Sequence, residues 1–139
     1  MKKIFKYTLI SLCLAFCCSC DKIDDNGDLG GFWQLTEWKS LPDGQILATN
    51  HDGIYYSVQL DLMGFRGHGA SYLSRFSHRN DSLFIGPVYK NMGAHDEEVP
   101  ISSLAGVGVP ATGAFAVQHL THSKMILRSD EAVLSFRKY

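Results

Sequence analysis

Apolar and polar residues alternate along most of the chain after residue 30, and the period predicts strands rather than helices. In IYYSVQLDLM (Ile54 to Met63), Ile54, Tyr56, Val58, Leu60 and Leu62 share one phase, while Tyr55, Ser57, Gln59 and Asp61 share the other. Successive side chains on a strand point to opposite faces, so this run reads as one strand of a sheet with one wet face. GFWQLTEWKS (Gly31 to Ser40) precedes it as a strand. LPDGQ (Leu41 to Gln45) supplies turn chemistry between them: Pro42 presets one backbone angle, and Asp43-Gly44 favours a tight reversal. GASYLSRFSHR alternates more loosely and closes on a turn at Asn80-Asp81, with SLFIG following as a short strand. GAFAVQHL, KMILRS and AVLSFRKY predict three more strands, joined by THS and SDE. Short strands at regular spacing, about seven or eight of them and without an amphipathic helix, predict an all-β sandwich or antiparallel barrel.

One stretch interrupts this meander. GPVYKNMGAHDEEVPISSLAGVGVPATG (Gly86 to Gly113) contains five glycines and three prolines. Structureless connections of that length are uncommon in compact domains and often act as lids or binding loops. A strand at Val88–Asn91 and a helical turn at Ile101–Ala105 fit within it. The alternative is a loop that packs over one open end of the barrel.

All four cysteines lie between Cys13 and Cys20. MKKIFKY supplies three lysines and TLISLCLAF a short apolar run, well under the roughly 20 residues a spanning helix needs. A basic start, a short apolar core and a small residue before a candidate cut describe a secretory signal peptide over residues 1–19. The cut falls between Ser19 and Cys20, and Cys20 resembles the acylated first residue of a bacterial lipoprotein. A tetrahedral zinc site draws on two separated cysteine pairs, and one clump in an apolar segment does not provide them.

Removing residues 1–19 takes Lys2, Lys3 and Lys6 from the 13 basic residues and none of the 14 acidic ones, leaving 10 against 14, a formal charge of −4. No basic patch remains to suit nucleic acid. CDKIDDNGD (residues 20–28) is polar and acidic and reads as a flexible tether, with residues 29–139 as one folded domain.

The residues DLGGFWQLTEW, YYSVQLDLM and GAFAVQHLTHSKMILRSDEAVLSFRKY together resemble the small lipocalin-like lipoproteins of Bacteroidetes. The Gly-x-Trp of Gly31 and Trp33 is similar to the first lipocalin signature. The resemblance implies an antiparallel up-and-down β-barrel of about eight strands, lipid-anchored in the outer membrane on its periplasmic side or at the cell surface. Asp24 and Asp25, close behind Cys20, resemble the acidic signal for surface export in such lipoproteins, with a solvated linker as the alternative. The resemblance also implies that Trp33 sits at the closed end of the barrel beneath an arginine. Arg137 is the candidate partner and Arg128 the fallback, because Leu134 and Phe136 read as the inward phase, which turns Arg137 outward.

Candidate chemistry is sparse. His119 and His122 stand three apart, which on one strand puts them on opposite faces, and His51, His68, His78 and His95 form no ligand pattern. No serine stands in a Gly-x-Ser-x-Gly elbow, and GVGVP lacks the lysine and helix of a phosphate loop. HDEE (His95 to Glu98) reads as a solvated loop. The expectation is a non-enzymatic protein without metal or cofactor. Leu35, Tyr56, Val58, Leu60, Tyr72, Phe76, Phe115 and Val117 are the candidate barrel lining, and Glu37 a candidate for the wet mouth. They either line a cavity for a small apolar or amphiphilic ligand or simply fill the barrel, since eight strands allow both. In the second case the domain docks on an envelope protein, as partner or inhibitor, through the 86–113 loop. Replacing Cys20 by Ala is expected to abolish acylation; a normally acylated variant in mass spectrometry would assign the anchor to another cysteine.

Overall fold

A computed structural model of the chain describes residues 26–139. Cys20, the signal segment and Asp24-Asp25 lie outside the described residues. The strands are β1 Gly31–Ser40, β2 Ile46–Ala48, β3 Tyr55–Gln59, β4 Leu62–Gly67, β5 Ala70–Arg79, β6 Ser82–Asn91, β7 Asp96–Val99, β8 Ala114–Leu120, β9 Lys124–Arg128 and β10 Ala132–Lys138. All pairings are antiparallel. The ring runs β1-β3-β4-β5-β6-β8-β9-β10 and closes where β10 pairs with β1. Eight strands therefore share their ladder hydrogen bonds all round, and the closed ring has no free edge. The short strands β2 and β7 lie off the ring as hairpin arms on β1 and β6.

The alternation in Ile54–Met63 is divided between two strands. Gln59 pairs with Leu62 across a reversal at Leu60 and Asp61, and Leu60 takes a left-handed backbone (φ 54°). Leu60 is thereby turned out, 46 % exposed, and is removed from the predicted barrel lining. The inward phase passes instead from Val58 to its cross-strand neighbour Met63. The apolar period hid this turn because Leu, rather than the usual Gly or Asn, occupies the left-handed position.

One end of the ring is closed by the stretch before β1. A 3-10 turn at Gly27–Leu29 buries Leu29 completely, and the Trp33 indole Nε1 donates to the Leu29 carbonyl at 2.8 Å. Asn26 Nδ2 donates to the Leu60 carbonyl at 2.7 Å, so the folded body begins within the stretch expected to be tether. The cation over Trp33 is Lys138, not Arg137. Register places Lys138 directly opposite Trp33, with Nζ 4.8 Å from the ring centroid and 3.0 Å from the Asp28 carbonyl it donates to. Such a contact contributes about 0.5–2 kcal/mol. Arg137 is on the outward phase, where its Nε donates to Gln34 Oε1 at 2.7 Å, and Arg128 is exposed on β9. Gly31 (φ 127°) explains the spacing of the Gly-x-Trp: a Cβ there would lie 3.2 Å from Lys138 Cε and crowd the lysine on its way to the indole.

The other end is closed by the long glycine-rich stretch. β6 runs through to Asn91, β7 folds back on it, and a 3-10 helix at Ile101–Val107 enters the ring. Leu104, Val107 and Val109 belong to the same buried cluster as Trp33, Leu35, Met125 and Phe136. Gly108 ends the helix with φ 95°, and a Cβ there would sit 2.7 Å from Leu134 Cδ1. This segment packs over an open end and continues into the core.

Candidate functional site

The lumen is the first place to look for a ligand. Leu35, Tyr56, Val58 and Phe115 are buried within it, while Tyr72, Phe76 and Val117 are half-buried and packed against the cluster. A slip of one residue at the bulge after Leu35 puts Glu37 in solvent and turns Trp38 toward the core. Tyr56 is at the centre of this packing. Its ring lies 4.7 Å from Phe65 in an edge contact and 4.7 Å from Phe136 in a tilted one. Its hydroxyl donates to the Val107 carbonyl at 2.7 Å, which satisfies a buried polar group at each end of the bond. Burial pushes the Tyr56 phenol well above its usual range, so it stays protonated and remains a donor. Ser74, the other deeply buried hydroxyl of this wall, directs its one proton to the carbonyls of Arg75 and Gly86, 2.8 and 3.0 Å away at the β5 bulge. Neither hydroxyl is left to orient a ligand.

Three hollows among the described residues lie on the outer wall and rim. The largest, about 470 Å³, is a shallow trough beside Phe84, Ala114, Ala116 and Arg128. A smaller one, about 190 Å³, lies by the β5 bulge at Phe76 and Gly86. The most enclosed is about 280 Å³ and crosses β1, β3, β4, β5 and β6. Phe32 and Tyr55 form one wall, stacked at 5.0 Å with 17° between their planes, and Tyr139 meets both edge-on at 5.8 Å. Gly64 and Ser57, which pair across β3 and β4, are its floor. A Cβ on Gly64 would fall 2.4 Å from Ser57 Oγ, so glycine here makes room for the serine hydroxyl. Phe65, Arg66, Ser71, Tyr72 and Asn91 complete the lining.

Little of this outer site was visible in the sequence. Tyr55 and Ser57 were read as the wet phase of a strand, and nothing linked them to Phe32, Arg66, Ser71 or Asn91. Only the pairings Phe32 with Ser57, Tyr55 with Arg66, and Arg66 with Ser71 assemble the group. The histidines stay dispersed and exposed. Among the described residues, no three of His, Cys, Asp and Glu come together in an arrangement that could hold a metal ion.

Residues 13–139 match the lipocalin-like domain family. The chain belongs to that family. Among solved structures, a lipocalin-like protein from Bacteroides uniformis is similar in fold, with a TM-score of 0.60 at 20 % identity over 81 % of this chain and 100 % of that one. An uncharacterised protein from Bacteroides eggerthii aligns with a TM-score of 0.56 at 27 % identity, covering 80 % of this chain and 99 % of that one. A protein from Burkholderia xenovorans aligns with a TM-score of 0.55 at 16 % identity, covering 88 % and 96 %. No curated protein matches the sequence. A lipocalin-like domain is of a ligand-binding type, and family membership leaves the ligand to be argued from the site.

Tyr56→Phe removes the buried donor and leaves the Val107 carbonyl unpartnered. The variant is expected to lose about 1–3 kcal/mol of stability in chemical denaturation. An unchanged midpoint would show that water reaches this carbonyl and that the end of the ring is open.

Proposed function

We propose that this chain is a non-catalytic, lipid-anchored binding protein of the bacterial envelope. In this reading the lipocalin-like barrel is a filled scaffold that takes its ligand on the outer wall. The signal segment and Cys20 support the anchor, which would hold the domain at the outer membrane, on its periplasmic side or at the surface. The observation that carries the choice of wall over lumen is the Tyr56 hydroxyl bonded to Val107 deep in the ring, with Leu104, Val107 and Val109 packed where a lumen ligand would sit. A small eight-stranded ring holds either side chains or one small ligand, and here side chains occupy it.

Docking on an envelope protein through the 86–113 segment has less surface available than the sequence suggested. Residues 104–109 are largely committed to the core, and the hairpin arm that remains exposed carries Asp96, Glu97 and Glu98 side by side. Carboxylates along a strand edge oppose the addition of another strand, so this arm is poorly suited to edge pairing. A binding surface on the ring itself is the better-supported alternative to a lumen.

A fluorescent fatty acid such as cis-parinaric acid separates wall from lumen. Titrated into the purified chain, it is expected to give no saturable signal. A saturable one-to-one rise that disappears in Leu134→Trp, which adds bulk beside Tyr56 and Gly108, would place a ligand in the lumen and overturn this reading.

A further inference from the structure

We infer that the hollow over Gly64 is a binding site for an acidic saccharide: a sugar ring bearing a carboxylate. This assignment rests on the outer-wall reading above and specifies its ligand.

A glycine stands in the middle of the sheet at this hollow. Gly64 pairs with Ser57 on one side and Leu73 on the other, a position where glycine weakens the strand and often marks close approach by a ligand or another backbone. Here the Ser57 side chain takes the space beside Gly64, and the two form a floor below a wall of stacked aromatic rings. A convex barrel surface with serines, a glycine and flanking aromatics makes a depression, and this one has about 280 Å³, at the lower end of small-ligand sites.

The lining then selects the chemistry. Phe32 and Tyr55 present flat apolar surface that is only partly covered, suited to the C–H face of a pyranose ring. Around them stand the hydroxyls of Ser57, Ser71 and Tyr55, which have no hydrogen-bond partner among the described residues and can serve ring hydroxyls as donors or acceptors. Asn91 Oδ1 is occupied by the Gly93 N–H at 2.9 Å, which leaves its Nδ2 as a donor. Arg66 is the one charged side chain in the lining and has no ion-pair or hydrogen-bond partner among the described residues. A guanidinium matches a carboxylate in a two-point contact that is stronger than a neutral hydrogen bond. A planar apolar wall, scattered neutral hydroxyls and one free guanidinium together fit a uronic-acid type of ring better than a fatty acid, which needs a longer apolar trough.

The test is a titration of the 15N-labelled full chain in detergent micelles with D-glucuronate, followed by amide NMR, with D-glucose and benzoate run in parallel. Saturable shifts at Ser57, Gly64, Arg66 and Ser71 are expected with glucuronate. Glucose and benzoate should each bind at least tenfold more weakly, since one lacks the charge and the other the hydroxyls. Arg66→Gln and Phe32→Ala, both at exposed positions, should each raise the glucuronate Kd at least tenfold. Equal binding of benzoate or glucose, unchanged affinity in both variants, or no shifts at all would overturn the saccharide assignment while leaving the outer-wall reading intact. Shifts centred on Tyr56, Val107 and Leu134 would overturn both.

Discussion

A ring of eight strands has an interior only a few side chains across, and what occupies it decides everything else about the molecule. An empty apolar lumen leaves its lining without contact partners, at a cost that grows with the volume left open. Here the interior is occupied from both directions. Leu29 and Trp33 close one end, held by the indole bond to the Leu29 carbonyl and covered by Lys138. The helix at Ile101–Val107 closes the other, fixed by the hydroxyl of Tyr56 on the Val107 carbonyl. That hydrogen bond joins the plug to the ring at a site where water would otherwise be needed.

In the proposed reading, the filled interior puts the binding role on the outside. Closed rings have no free edge to recruit partners, so specificity must come from side chains standing off the wall. The depression over Gly64 is different because a small floor of Gly64 and Ser57 meets stacked rings there, and Arg66, without an ion-pair partner among the described residues, stands at its side. The inner and outer faces are coupled by the pleat: Trp33, Tyr56 and Phe65 point inward, and the intervening Phe32, Tyr55, Gly64 and Arg66 supply the outer site.

The strand phases at Gly31–Leu35 and Ala132–Lys138 were legible because one buried face imposes alternation, whereas the bulge after Leu35 reversed the phase of Glu37 and Trp38 without a signal in the spacing. The same logic correctly turned Arg137 outward. It could not nominate Lys138, whose position over Trp33 depends on register between the first and last strands. The reversal at Leu60 was hidden by an apolar residue in a left-handed position. The 3-10 plug lay within a stretch whose glycines and prolines resemble those of a loop. There the glycines serve tight packing: Gly108 makes room for Leu134, as Gly67 on the facing strand does for Val107. The outer site was invisible for a more basic reason, since its residues come from five strands and share no spacing along the chain.

Amide hydrogen exchange at the plug is the most direct test of a filled barrel. The N–H groups of Gly108 and Val109, bonded to the carbonyls of Ala105 and Leu104, report whether the plug opens on its own. If the plug is part of the core, these amides exchange only through global unfolding, with the same protection as Tyr56 and Leu134 on the ring strands. Exchange orders of magnitude faster than the ring would mean that the segment swings out as a lid, and the lumen would then be the binding site.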